Sequence, residues 1–176
     1  MTPGNVYEFN SKAAFGLPEN STQSDAVSNS LRATRDLGTA FSLIAQETGI
    51  ERQVRFRVVV EGKPQILAPL VYEHAYRIGR EALLNAFHHS QARRIDLHLA
   101  YTQKGLCLTI RDNGQGIAFD SVPLACNGLS WMKALAEGLG ATLKLLSRVS
   151  AGTEVLLSIP GHIAFASKGR WQPAVA

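Results

Sequence analysis

Two neighbouring segments of opposite character constrain the fold of this chain most. Residues 80–90, Arg-Glu-Ala-Leu-Leu-Asn-Ala-Phe-His-His-Ser, indicate a helix, on which Glu81, Asn85 and His89 lie one turn apart along one face. Residues 112–117, Asp-Asn-Gly-Gln-Gly-Ile, indicate a loop, because Asp, Asn and Gly favour turns. The chain therefore combines a long helix bearing a polar stripe with a glycine-rich connection.

The polar stripe has the chemistry of a phosphate and magnesium site. A carboxylate and an amide one turn apart, here Glu81 and Asn85, can hold a hydrated Mg²⁺, which prefers oxygen ligands. His89, one turn further, can reach a phosphate. Such a stripe can equally be the solvated face of an amphipathic helix.

The loop complements the stripe. Asp112 can accept a hydrogen bond from an exocyclic amine, and Gly114 and Gly116 allow the backbone to approach a ligand closely. Taken alone, Asp-Asn-Gly-x-Gly is also a good turn between two strands. Together, the loop and the helix predict a nucleotide site.

A third segment, residues 127–141, indicates a helix that begins at a glycine. Its apolar positions keep helical spacing: Leu129, Met132, Leu135, Ala136 and Leu139. A helix that begins at Gly128 offers free N–H groups to an anion, and Gly138 and Gly140 are suitable terminators. Residues 142–147 and 152–160 then indicate two strands joined by a short polar turn.

In this order, the segments resemble the ATP-binding catalytic domain of sensor histidine kinases, within the superfamily that includes gyrase, the Hsp90 chaperone and MutL. The resemblance covers roughly residues 54–165 and is closest to the nitrate- and desaturase-sensor subgroup. It implies Glu81 as the catalytic carboxylate, Asn85 as the Mg²⁺-binding amide, His89 at the phosphates and Asp112 as the reader of adenine. The further nucleotide contacts that it implies are Gly114, Gly116, Ile117, Gly128, Leu129, Met132 and Thr153.

The resemblance implies ATP and Mg²⁺ as cofactors, and transfer of the γ-phosphoryl group to a histidine on a separate dimerisation element. A response regulator is the implied downstream partner. No His-Asp acceptor motif precedes residue 50. The family's Gly-Leu-x-Gly-Met is replaced by Gly-Leu-Ser-Trp-Met, with Trp131 at a glycine position, and the segment matching the ATP lid, residues 117–127, is short. Two alternatives stay open: a degenerate nucleotide-binding or regulatory module without phosphotransfer, and an anti-sigma-type serine kinase.

Composition fits one compact domain. The charge of +4 is small and its basic residues are scattered, which excludes a typical nucleic-acid module. No run of about eighteen apolar residues and no secretory leader occurs, so we expect no membrane insertion and a cytoplasmic location, free or as part of a membrane-anchored sensor.

We predict a two-layer α/β sandwich in which a mixed sheet packs against helices. The predicted strands are 54–60, 94–101, 105–111, 141–147 and 153–159, with 94–101 and 105–111 forming a hairpin. Residues 1–50 are expected to be a flexible leader with a partial linker helix over about 28–48, residues 51–165 the ATPase-like domain, and residues 166–176 a tail.

Overall fold

A computed structural model describes residues 5–7, 36–47, 54–117 and 127–166 of the chain. The strands are β1 (Asn5–Tyr7), β2 (Arg55–Glu61), β3 (Arg94–Thr102), β4 (Gly105–Asp112), β5 (Thr142–Arg148) and β6 (Gly152–Pro160). The helices are α1 (Leu37–Glu47), α2 (Pro69–His89), α3 (Asn127–Gly138) and α4 (Gly161–Ala164). Within these ranges, no helix has the length and apolar content needed to cross a membrane.

The strands form one mixed sheet in the order β1-β2-β3-β4-β6-β5. Strands β2 and β3 are parallel, and all other neighbours are antiparallel, including the predicted hairpin of β3 and β4. A parallel pair requires a long crossover, and α2 supplies it. The predicted mixed sheet is therefore confirmed.

The core lies between one face of this sheet and the helices. Side chains alternate along β3, so that Ile95, Leu97 and Leu99 are completely buried. The apolar positions predicted for the third segment also face inward, with Met132 and Ala136 each 1% exposed. This arrangement confirms the two-layer α/β sandwich.

Helices α1 and α2 pack against each other through aromatic side chains. The Asp36 carboxylate caps α1 by accepting the Thr39 N–H at 2.9 Å. Phe41 is completely buried and stacks on Tyr76 with 5.9 Å between ring centroids. A side chain at Gly79 would collide with the Phe41 ring, so glycine allows this close helix contact.

The structure corrects one part of the prediction for the leader. Strand β1 pairs antiparallel with Val58–Val60 of β2, whereas residues 1–30 are predicted to lack structure. Three residues at a sheet edge are too few to produce a visible periodicity. Helix α1 begins at Leu37. Residues 1–4, 8–35, 48–53 and 167–176, which include most of the predicted leader, the start of the predicted linker helix and most of the predicted tail, lie outside the described residues. The domain boundary at residue 51 stays a prediction.

Charged side chains of alternating sign cross the other face of the sheet. Arg57, Asp96, Arg111 and Glu154 occupy directly paired positions on β2, β3, β4 and β6. Arg57 Nε lies 3.0 Å from Asp96 Oδ1, and Arg94 Nε lies 2.7 Å from Asp96 Oδ2. We call the four paired positions the charged row.

Candidate nucleotide-binding site

A cavity of about 460 Å³ lies between α2, the end of β4, the start of α3 and the hairpin of β5 and β6. This volume is within the range of small-molecule sites. Its lining consists of Glu81, Ala82, Asn85, Ala86, His89, Ser90, Ile110, Asp112, Gly116, Ile117, Gly128, Leu129, Met132, Leu145, Thr153 and Val155. The structure therefore brings together every predicted site residue except Gly114.

The polar stripe of α2 forms one wall of the cavity. Glu81 and Asn85 are half-buried and His89 is exposed. Asn85 Nδ2 donates a long hydrogen bond of 3.4 Å to Glu81 Oε1, which leaves the amide oxygen of Asn85 available to a cation. The two lining alanines, Ala82 and Ala86, are small enough to leave space beside the stripe.

Asp112, at the end of β4, also lines the cavity. It is the last residue of β4 and follows the inward alternation of Leu108 and Ile110, so its carboxylate occupies a position that would otherwise hold an apolar core residue. It is 5% exposed, and its Oδ1 accepts the Gly114 N–H at 2.8 Å. The second oxygen is available to a ligand, because a carboxylate has several acceptor sites.

Contacts with both neighbours fix the loop after Asp112. Gln115 donates its N–H to Ser90 O and its side-chain amide to His89 O, both at 2.8 Å, which caps the end of α2. A side chain at Gly114 would collide with the Ser90 backbone. Gly114 therefore packs on α2 rather than lining the cavity.

Gly116 has a positive φ of 69°, and a Cβ there would collide with Arg148 O at the end of β5. Asn113 has a structural role, since its Oδ1 accepts the N–H groups of Arg93 and Arg94 at 3.0 and 2.9 Å. The conformation of the loop is thus set from the helix on one side and the hairpin on the other.

The start of α3 forms the third wall. Gly128 is so close to α2 that a Cβ would collide with the Glu81 carboxylate, while Leu129 and Met132 line the cavity. Trp131 is 41% exposed and absent from the lining, so its indole leaves the cavity open. Ile117 also lines the cavity; residues 118–126 of the predicted lid lie outside the described residues.

Sequence reasoning missed the apolar walls of the cavity. Ile110, Leu145 and Val155 line it from the helix-facing side of three different strands. Their alternation within each strand was a usable signal, but their convergence depends on the strand order. Among the described residues no cluster of three or more His, Cys, Asp or Glu side chains could hold a metal ion, so a cation here needs further ligands from a bound molecule.

Comparison with known proteins agrees with this geometry. The family model described as the histidine kinase-, DNA gyrase B-, and HSP90-like ATPase matches residues 71–163, more than half of the chain and all of the cavity lining. The chain belongs to this family. As an ATPase domain of this family, it has the two-layer sandwich that the sequence resemblance implies.

Sensor kinases are among the relatives of this ATPase domain. The nitrate/nitrite sensor protein NarX of Escherichia coli is 31% identical over 81% of this chain and 27% of its own length. The sensor histidine kinase LiaS of Bacillus subtilis is 34% identical over 51% of this chain and 25% of its own length. The chain thus spans about a quarter of these relatives.

Solved structures show the same fold. The histidine kinase domain from the Erythrobacter litoralis EL346 blue-light activated histidine kinase has a TM-score of 0.56 and 25% identity, covering 72% of this chain and 59% of that one. The ATP binding domain of PrrB from Mycobacterium tuberculosis has a TM-score of 0.52 at 20% identity, covering 73% and 93%.

Proposed function

We propose that this domain binds ATP with Mg²⁺ in the described cavity and belongs to a two-component sensor histidine kinase, in which the γ-phosphoryl group is transferred to a histidine on a separate dimerisation element. One observation carries the proposal: an apolar cavity has a buried carboxylate, Asp112, on one wall and the Glu81–Asn85 pair on another. The kinase relatives support the proposed reaction.

The Asp112 side of the cavity suits a purine base. The flat faces of a base need apolar contacts, which Ile110, Met132 and Val155 supply. The second oxygen of Asp112 can accept a hydrogen bond from an exocyclic amine, and adenine carries such an amine. Because Asp112 is almost fully buried, an unmatched ligand edge would leave its second carboxylate oxygen without a hydrogen-bond donor.

The α2 side suits the phosphates. The nucleotide brings Mg²⁺, which neutralises phosphate charge, and Asn85 Oδ1 is the oxygen that would contact the ion. The first N–H groups of α3, beginning at Gly128, would stabilise phosphate oxygens. Glu81 would accept a proton from the imidazole of the acceptor histidine. At the same step, an imidazole nitrogen would bond to the γ-phosphorus, and the bond between the γ-phosphorus and the ADP oxygen would break.

The acceptor histidine and a response regulator are the partners of this proposal. Both come from the resemblance to sensor kinases and from relatives that are about four times longer than the matched region. ATP is available in the cytoplasm, which supports the predicted cytoplasmic location of the domain.

The test is isothermal titration with a non-hydrolysable ATP analogue, with and without Mg²⁺. We expect micromolar, Mg²⁺-dependent binding by the wild-type chain and loss of the Mg²⁺ dependence in Asn85→Ala. His88→Ala is the matched control, because His88 is an exposed residue of the same helix outside the cavity lining. Equal affinity and equal Mg²⁺ dependence in wild type and Asn85→Ala would contradict the site.

A phosphotransfer assay with ATP and candidate partner proteins separates the alternatives. Binding without phosphotransfer to any supplied histidine-bearing partner would favour the degenerate or regulatory module. Phosphorylation of a partner serine would favour the anti-sigma-type kinase. Trp131 is 41% exposed and does not line the cavity, which supports nucleotide binding at the start of α3.

A further inference from the structure

All five arginines of strands β2 to β6 lie at one end of the sheet. Arg55 and Arg57 are in the first half of β2, Arg94 begins β3, Arg111 is next to last in β4, and Arg148 ends β5. Because β2 and β3 are parallel and the other strand pairs are antiparallel, these positions meet at the same end. The arginines are scattered along the sequence, and the strand order gathers them.

The register also places these arginines on one face of the sheet, the outer face, which lies away from the helices. Arg57 and Arg111 belong to the charged row on this face. Arg55 lies two residues before Arg57 and directly opposite Arg94, and Arg148 pairs with the residue two positions before the β6 member of the charged row. Residues two apart in a strand share a face, so all five lie on the outer face. We call Arg55, Arg57, Arg94, Arg111 and Arg148 the arginine surface.

Two members of the arginine surface lack a counter-ion. Asp96 pairs with both Arg57 and Arg94, at N–O distances of 3.0 and 2.7 Å. Arg55 and Arg148 are exposed, and neither has an ion-pair partner among the described residues. A guanidinium group can bind a carboxylate through two parallel hydrogen bonds. Arg55 and Arg148 are therefore available to carboxylates from another molecule.

A second cavity, of about 520 Å³, lies at the same end of the sheet. Its lining includes four residues at outer-face positions, which are Arg111, Leu146, Arg148 and Glu154. Leu146 is 58% exposed, although its side chain is large and apolar. An apolar side chain from a partner that enters this cavity would cover Leu146. Arginines around an apolar contact are typical of the centre of protein interfaces.

The composition of the outer face favours a protein partner over a nucleic acid or an anionic lipid surface. Asp96 and Glu154 lie among the arginines and would repel a uniform row of phosphates. The outer-face positions of β2 to β6 carry no Phe, Tyr or Trp on which a base could stack. A peptide can place carboxylates at the arginines and an apolar side chain at Leu146.

We propose that the arginine surface docks an acidic segment of a partner protein, with carboxylates on Arg55 and Arg148 and an apolar side chain in the second cavity against Leu146. Strands β2 and β5 are four strand spacings apart, or about 19 Å, which an extended segment of about six residues spans. The inference goes beyond the proposed function and does not rest on it, because this partner would lie on the face opposite the helices.

The experiment measures binding of a fluorescent peptide of glutamate pairs separated by single leucines. Anisotropy is recorded in about 150 mM salt, where distant charges are screened. We expect the wild-type chain to bind, and the double variant Arg55→Gln and Arg148→Gln to bind at least about tenfold more weakly, since charge-assisted hydrogen bonds are lost. Leu146→Ser should weaken binding about three- to tenfold, and should have no effect on a peptide with alanine in place of leucine.

The double variant Lys63→Gln and Lys144→Gln is the matched control. It removes the same two charges from exposed positions toward the other end of the sheet, beyond β2 and early in β5. Its affinity for the peptide should stay within about twofold of wild type. The urea midpoint and the affinity for the ATP analogue should be unchanged in every variant, because the substituted side chains are exposed and do not line the nucleotide cavity.

Three outcomes would overturn the docking proposal. The first is an equal loss of affinity in the two double variants, which would mean that binding follows net charge alone. The second is a wild-type chain that binds the peptide no better than its glutamine counterpart. The third is tighter binding of an oligothymidylate or an anionic lipid vesicle, lost with Arg55 and Arg148, which would assign the surface to phosphates.

Failure of the proposed function gives a different result. A wild-type chain that binds the acidic peptide through Arg55 and Arg148 but binds no nucleotide would support the arginine surface and contradict the proposed function alone.

Discussion

The two halves of helix α2 have contrasting surroundings. In the first half, Ala75, Ile78 and Gly79 are buried among apolar and aromatic side chains, and Gly79 lies against the Phe41 ring. In the second half, Glu81 and Asn85 face a cavity and share only a 3.4 Å hydrogen bond. One continuous helix thus has a packed half and a cavity half.

This contrast separates stability from recognition along a single rigid element. A helix rises 1.5 Å per residue, so Gly79 and Asn85 are about 9 Å apart along its axis. Packing at the first half fixes the rotation of the helix and therefore the direction of the polar stripe. Substitutions in the packed half should change mainly the free energy of unfolding, and those around the cavity should change mainly affinity.

The largest effect is expected for Phe41→Ala. The side chain is completely buried and touches α2, so its removal should lower the free energy of unfolding by about 3–5 kcal/mol, measured by urea denaturation. Leu43→Ala, at a 49% exposed position of α1, should change the free energy of unfolding by less than about 1 kcal/mol. A tenfold loss of nucleotide affinity in the folded Phe41→Ala protein would break the proposed separation.

A smaller effect, on affinity, is expected for Asp112→Asn. Asparagine keeps an oxygen for the Gly114 N–H but loses the charge and the second carboxylate oxygen. We expect the affinity for the ATP analogue to fall about 10- to 100-fold, or about 1.4–2.7 kcal/mol, by calorimetry. The urea midpoint should stay close to that of wild type; a large fall in stability at unchanged affinity would assign Asp112 to the core instead.

Alkaline pH should lower the stability of the fold through Tyr101 on β3. Burial, together with the charge of Asp36, raises the pKa of Tyr101 to about 12 from 10.0. The folded protein therefore keeps the phenolic proton longer than the unfolded chain, so this contribution is present below pH 10 and is lost as pH rises from 10 to 12. We expect a loss of about 1–2 kcal/mol in unfolding free energy, reduced in Tyr101→Phe. An identical pH profile for both proteins would contradict this.

The smallest effect on stability is expected for Lys133→Ala. Lys133 Nζ lies 3.8 Å from Glu137 Oε1, and both side chains are strongly exposed. Such a pair contributes less than about 0.5 kcal/mol, which urea denaturation should show. If Lys133 also contacts the phosphates, Lys133→Ala lowers the affinity for the ATP analogue and leaves the urea midpoint of the protein unchanged.

Residue patterns predicted most of the strands, and the family resemblance supplied the two-layer arrangement. The five predicted strands agree with the observed bounds of β2 to β6 within about two residues, because each has an apolar pattern typical of a strand and is bounded by turn residues. The predicted helical segment 80–90 is the second half of the helix at Pro69–His89. Strand β1 was missed, since three edge residues depend on backbone pairing with β2 rather than on side-chain pattern.

The polar residues of the site were predictable for a different reason. Glu81, Asn85 and Asp112 interrupt apolar patterns at fixed spacing, which makes them visible in the sequence. The arginine surface was not visible, because its members are far apart in the sequence and only the strand order brings them together. The position of Gly114 against Ser90 likewise depends on tertiary packing.

The charged row, on the face of the sheet away from the helices, also favours one register of strand pairing. Arg111 lies opposite Asp96 on one side and Glu154 on the other. A slip of β4 against β3 by two residues would keep every apolar side chain on its proper face, yet would place Arg111 opposite His98 or Arg94 instead of the carboxylate. Apolar alternation alone does not disfavour the slipped register. Charge does, because the slip removes the pairing of Arg111 with the Asp96 carboxylate. The charges on the face away from the cavity thereby favour the register in which Asp112 lines the cavity.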